Sequence, residues 1–204
     1  MAKNRSRKDA NLRRHIAYIA ARLMAEDGVA DYGTAKQKAA RQAGLRDANL
    51  LPDNSEVEAA LRDYQGLYHA DVQPAELRRM REVAARVMRE FSEFRPALVG
   101  SVLTGTANKF SDVNLQLFTD DAKALTLFLL NRRYRYEEGA RRVRRGGAFV
   151  DVPQVVLEVD GIPVTLTILD RDDERAASRT RGEPEAQRAK LADVEALLET
   201  SARP

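Results

Sequence analysis

Residues 100–118, GSVLTGTANKFSDVNLQLF, hold the side chains best suited to phosphate and metal chemistry. Gly100 and Ser101 open the segment, Gly105 lies four residues after the serine, and Asp112-Val113-Asn114 follow a spacer of ten residues with Ser111 at its end. A glycine lets the backbone approach a phosphate closely. A serine hydroxyl and the neighbouring N–H groups then hydrogen-bond the phosphate oxygens. On a strand, alternation puts Asp112 and Asn114 on one face and Val113, Leu115 and Leu117 on the other, core face. A carboxylate presented in this way can hold Mg²⁺, which takes one or two carboxylates together with substrate phosphates.

A second segment able to face that pair is VVLEVDGIPVTLTIL, the clearest strand signal in the chain. Asp160-Gly161 forms a favoured two-residue hairpin turn, since both central positions need positive φ. The turn sets Val159 opposite Ile162, Glu158 opposite Pro163 and Val156 opposite Thr165. Val155, Leu157, Val159, Ile162, Val164, Leu166 and Ile168 then share an apolar face. Gln154, Val156, Glu158, Pro163, Thr165 and Thr167 occupy the other, where any site on the hairpin must lie. Glu158 stands diagonally across from Thr165 at roughly 7–8 Å between backbones, within side-chain reach as a metal ligand. The favoured reading is nonetheless a solvated strand glutamate.

Residues 132–145, RRYRYEEGARRVRR, carry seven arginines against two glutamates, with Tyr134 and Tyr136 interleaved. Arginine beside aromatics suits a nucleic-acid backbone and its bases, or a triphosphate tail. The alternative is a solvated hairpin whose arginine stems cover apolar surface. The basic start, with Lys3, Arg5, Arg7, Lys8, Arg13 and Arg14, is a weaker nucleic-acid candidate. Ser178 and Thr180 have no base partner that the sequence identifies.

The elements that must position these residues divide at about residue 95. Before it the pattern is helical. Leu12, Ile16, Ile19 and Leu23 form one stripe that stops at Gly28, and Thr34 is placed to cap a helix ending at Gly44. Asn54 or Ser55 opens a third helix with Val57, Leu61 and Tyr64 aligned. Pro74 suits the start of a fourth, whose seam is Leu77, Met80, Val83, Val87 and Phe91. After Pro96, ALVGSVL and DVNLQLFT read as strands, and a helix AKALTLFLLN begins at Asp120 or Asp121. A last helix, from Pro184, aligns Leu191, Val194 and Leu198. The expected fold class is α+β: a mixed sheet with helices, preceded by a helical N-terminal region. Domain limits are placed at 1–73, 74–170 and 171–204.

Composition narrows the chemistry. The chain has 204 residues, 44% hydrophobic and 32% charged, with a net charge of +3. That is ample for a core and too nearly neutral to imply nucleic acid by itself. With no cysteine, and His15 and His69 as the only histidines, thiolate zinc sites, cysteine nucleophiles and histidine metal clusters are excluded or remote. No apolar run approaches a membrane span of about 20 residues, and the basic start lacks the apolar core of a secretion signal. A cytoplasmic location with no membrane partner is the expectation, while oligomeric state is left open.

The Gly-Ser, the ten-residue spacer and the Asp-x-Asn on a strand resemble the signature of the nucleotidyltransferase superfamily. That superfamily includes the kanamycin and minimal nucleotidyltransferases and the poly(A) polymerases. Asp160-Gly161-Ile162-Pro163-Val164-Thr165 resembles the poly(A) polymerase strand pair Asp-Gly-Ile-x-Ile-Asp, whose last aspartate is a metal ligand. The resemblance covers about residues 80–170. It implies a nucleoside triphosphate as substrate, Mg²⁺ as cofactor, and transfer of a nucleotide to a hydroxyl acceptor. Gly100, Ser101 and Gly105 then bind phosphate, Asp112, Asn114 and Thr165 take the catalytic positions, and Asp112, Asn114 and Glu158 supply metal ligands. Arg132, Arg133 and Arg135 hold the triphosphate or an RNA acceptor. Where the family uses three carboxylates, this chain has only Asp112. The resemblance therefore also admits a degenerate module that binds nucleotide or RNA without transferring it.

Overall fold

A computed structural model describes residues 2–29, 31–45, 50–68, 73–145, 148–176 and 187–200. The chain is α+β and divides into two compact units. The first comprises residues 1–75 and the short loop 108–111; the second comprises residues 76–107 and 112–204.

The first unit is built on three helices, α1 (Ala2–Glu26), α2 (Tyr32–Gln42) and α3 (Asn54–Tyr68). Ile16, Ala20, Leu23, Ala35, Ala39, Val57, Leu61 and Tyr64 meet in one core. Alanines at the contacts let the helix backbones approach closely. Asp31, not Thr34, caps α2: its carboxylate accepts from the Thr34 N–H at 2.6 Å, and the Thr34 side chain and then this amide lower the Asp31 pKa. Thr34 is thus the third residue of the helix, where its amide is one of the donors needing a cap. The loop 108–111 is tied into this unit by Asn108 Nδ2, which donates to the Met24 carbonyl at 3.0 Å.

The second unit carries the sheet. Its strands are β1 (Ala97–Val99), β2 (Val113–Phe118), β3 (Tyr136–Arg145), β4 (Ala148–Val159) and β5 (Ile162–Leu169), in the order β1-β2-β5-β4-β3. The β2–β5 pair is parallel and the other pairs are antiparallel, so the sheet is mixed and open. The hairpin register follows the Asp160-Gly161 turn as expected, with Val159 opposite Ile162, Glu158 opposite Pro163 and Val156 opposite Thr165. The expected strand ALVGSVL is cut short. Gly100, at φ 76° and ψ −157°, breaks it after Val99, and Ser101–Thr104 form a one-turn helix, α5.

One face of the sheet is the core. Val113, Leu115, Leu117, Val155, Leu157, Val164 and Leu166 pack there against α4 (Gln73–Glu90), α6 (Ala122–Asn131) and α8 (Leu191–Thr200). The α4 seam enters it as expected, with Met80, Val83, Val87 and Phe91 buried and Leu77 half-buried. Phe91 is wholly buried, its ring centroid 4.8 Å from that of Phe128 and 5.7 Å from that of Tyr134. The C-terminal helix starts at Leu191, with Val194 buried and Leu191 and Leu198 packed beside it. Its expected start at Pro184 lies outside the described residues, as do His69, Ser178 and Thr180. The second face carries a small apolar cluster, Ala97, Phe118, Val152 and Leu169, near α7 (Arg171–Ala176) at one end of β2.

Phe91→Ala is expected to destabilise the sheet unit by about 3–5 kcal/mol through lost burial and the cavity left behind. Urea unfolding measures it, and a loss below about 1 kcal/mol would contradict this packing.

Candidate functional site

On the second face, Val99 pairs with Asn114 and Asn114 with Thr165, so one row of the sheet runs Val99–Asn114–Thr165. The Gly100-Ser101 turn leaves that row directly: a Cβ on Gly100 would lie 3.8 Å from the Asn114 side chain. Asp112 stands one residue before β2, at the head of the same strand. Thr165 donates a hydrogen bond to its carboxylate, and Asn114 Nδ2 donates to the Asp112 carbonyl at 3.2 Å. The sheet therefore brings together Gly100, Ser101, Asp112, Asn114 and Thr165 from three separate stretches of chain.

The turn itself is an array of donors. Gly100 O accepts from both the Leu103 and Thr104 amides at 3.0 Å, closing the single turn of α5. The Ser101 and Val102 amides are the first-turn donors that such a helix leaves unpaired. Among the described residues no hydrogen bond holds the Ser101 hydroxyl. Gly105 ends α5 at φ 87°, at the opposite end from Asn114.

Asp112 is the one carboxylate in the group. Burial pushes its pKa above the ordinary 3.8, the Thr165 hydrogen bond acts against the shift, and among the described residues no cationic side chain offsets the burial. Among the described residues no three acidic, histidine or cysteine side chains gather into a metal-binding group. Glu158 is exposed and lies at the level of Asp112, two strands away. At about 4.8 Å per strand that is about 10 Å between backbones. Arg132, Arg133 and Arg135 precede β3, which is three strands from β2, or about 14 Å. Arg132 stacks its guanidinium 5.3 Å from the Phe128 ring and pairs with Glu90 at 3.3 Å. Arg133 takes positive φ in the turn after α6, and all three side chains are exposed. Glu90 also accepts from Tyr134, whose pKa burial and that bond raise to about 12.

No protein family, curated protein or solved structure matches this chain.

Two arginines near the site were not singled out in the sequence. Arg81 of α4 is 7% exposed, and its Nε and Nη2 donate to the Val102 and Leu103 carbonyls of α5 at 3.1 and 3.3 Å. These are last-turn carbonyls that a one-turn helix leaves unpaired, so Arg81 fixes α5 from below. Burial lowers its pKa, and among the described residues no acidic partner opposes that shift. A signal existed: 77, 81, 84 and 88 form one helical stripe, and Arg81 interrupts its apolar run. Arg188 lies on the second face, donating from Nε to Gln116 Oε1 at 2.6 Å and sitting 4.8 Å from the Phe118 ring. Gln116 follows Asn114 on that face by about 7 Å, so a cation closes the far side of the row. Nothing in the local sequence around Arg188 marks it.

The raised pKa of Asp112 has a definite consequence. Below the unfolded value near 3.8 both states are protonated and the group contributes nothing. As pH rises through the folded pKa, the carboxylate must ionise while half-buried, and stability is lost. Asp112→Asn, which keeps an acceptor for Thr165, is expected to raise Tm at neutral pH with a chelator present. The gain over wild type should vanish as pH falls toward 3.8. Equal melting at neutral pH, or a gain that persists in acid, would contradict the burial of this group.

Proposed function

We propose that this chain is a nucleotidyltransferase-like protein that binds a nucleoside triphosphate. The phosphates sit on the Gly100-Ser101 turn, and Mg²⁺ sits on Asp112. The observation that carries this reading is the row Val99–Asn114–Thr165, which sets the turn, the Asp-x-Asn strand and the end of the Asp-Gly hairpin beside one another. The donors of the turn suit phosphate oxygens. Asp112, the Asn114 amide oxygen and the Thr165 hydroxyl suit one hard cation that arrives with its phosphates. They do not suit a pair of such ions, because Asn114 and Thr165 are neutral.

Binding without efficient transfer is favoured by that donor set. Nucleotide transfer requires an acceptor hydroxyl to lose its proton while charge builds on the α-phosphate. Thr165 cannot take that proton near neutral pH, and it already donates its own to Asp112. Two missing carboxylates weaken the hold on a metal pair, and each ~1.4 kcal/mol so lost from transition-state stabilisation is a factor of ten in rate. Transfer to a hydroxyl acceptor is the second reading, supported by the complete Gly-Ser turn. In either case Arg132, Arg133 and Arg135, about 14 Å from β2, suit a distant part of a long ligand such as RNA better than the phosphates themselves.

Incubation with each α-labelled nucleoside triphosphate and Mg²⁺ or Mn²⁺, with and without bulk RNA, separates the readings. Metal-dependent retention of nucleotide that is lost in Asp112→Ala, with no label transferred, is the expected outcome. Transfer of label lost in the same variant supports the second reading. Absence of any nucleotide binding overturns both.

A further inference from the structure

β3 is the last strand of the sheet, and no described strand pairs with its outer edge. It is ten residues long, and from Glu137 to Arg142 its side chains are exposed. An edge of this length is a template for another strand. Charges normally guard such edges, but here they are sorted: Glu137 and Glu138 precede Gly139-Ala140, and Arg141 and Arg142 follow. A foreign strand meets this as a mixed barrier. A second copy running antiparallel meets its own complement.

Symmetry fixes the register. Antiparallel neighbours in one sheet are related by a two-fold axis perpendicular to it, which leaves each residue on its own face. Opposite residues must therefore differ by an even number. With the axis at Gly139, Glu137 faces Arg141 of the second copy, and Arg141 faces its Glu137. On the other face Glu138 lies opposite Ala140 of the second copy, diagonal to its Arg142 on one side and to its Glu138 on the other. Gly139 has no side chain to crowd the axis, and the space where its Cβ would point is open. Directly opposed charges of unlike sign stabilise a strand pair, and like charges destabilise it. In this arrangement each acidic block meets a basic block, as a self-complementary two-fold interface requires.

We propose that the chain self-associates through antiparallel β3–β3 pairing centred on Gly139, joining two five-stranded sheets into one. The pairing uses none of the groups assigned to phosphate or metal, so it stands apart from the nucleotide reading.

Sedimentation equilibrium of the full chain tests it. Wild type is expected to show a monomer–dimer equilibrium in the micromolar range that weakens with salt. Glu137→Arg and Arg141→Glu alone should each weaken dimerisation about tenfold or more, because by symmetry each places two like-charge pairs at the interface. The double variant E137R/R141E should recover wild-type association. Both side chains are exposed, so thermal melting of the variants is expected to stay close to wild type and verifies that each is folded. A wild-type chain that stays monomeric overturns the proposal. So does a dimer indifferent to the single changes, or one that the double variant fails to restore.

Discussion

The parallel pairing of β2 with β5 is the constraint on which the rest of this molecule depends. It sets Asn114 beside Thr165 and Leu115 beside Leu166, so one register serves both faces of the sheet. On one face it completes the core; on the other it assembles the polar row next to Gly100. A slip of one residue would turn Leu115 and Leu117 to the second face and bury Asn114 instead. The apolar face therefore enforces the geometry of the polar one, and the polar residues need contribute little stability of their own.

Charge placement around that row is unusual for so small a group. Arg81 is buried with no acidic partner among the described residues and spends its donors on the α5 carbonyls. Asp112 is half-buried with no cation beside it among the described residues, and the bond that stabilises its charge comes from a neutral hydroxyl. An isolated buried charge is costly unless hydrogen bonds or a ligand compensate it. A phosphate on the turn would lie within reach of the first charge's field, and a divalent cation would answer the second. A ligand carrying both signs, such as the metal–triphosphate proposed above, would answer both charges at once.

Much of this was legible in the sequence wherever a local rule fixes geometry. The two-residue Asp160-Gly161 turn dictates its register, and the hairpin pairs follow it residue by residue. The α4 seam was readable because its spacing is strictly helical. The α+β class and the helical N-terminal region followed from the same patterns. What was not legible depends on contacts between distant segments. From Glu137 to Arg142 β3 is exposed and shows no alternation, so its charges conceal a ten-residue strand. The strand expected through Gly100 is broken by a backbone conformation that composition does not reveal. Asp31 and Thr34 both have capping side chains, and only the direction of the chain at the helix start selects the aspartate. For the site, Gly100, Ser101, Asp112, Asn114 and Thr165 were named through the family resemblance of their motifs, while the roles of Arg81 and Arg188 arise from packing alone.

The central claim is that the Val99–Asn114–Thr165 row and the turn beside it form one ligand site. Amide chemical-shift mapping of the labelled full chain, titrated with a nucleoside triphosphate in the presence of Mg²⁺, tests it most directly. Saturable shifts should concentrate at Gly100, Ser101, Val102, Asp112, Asn114 and Thr165, and should shrink when Mg²⁺ is replaced by a chelator. Shifts confined to other parts of the chain, or none at all at concentrations that saturate nucleotide-binding proteins, would contradict it.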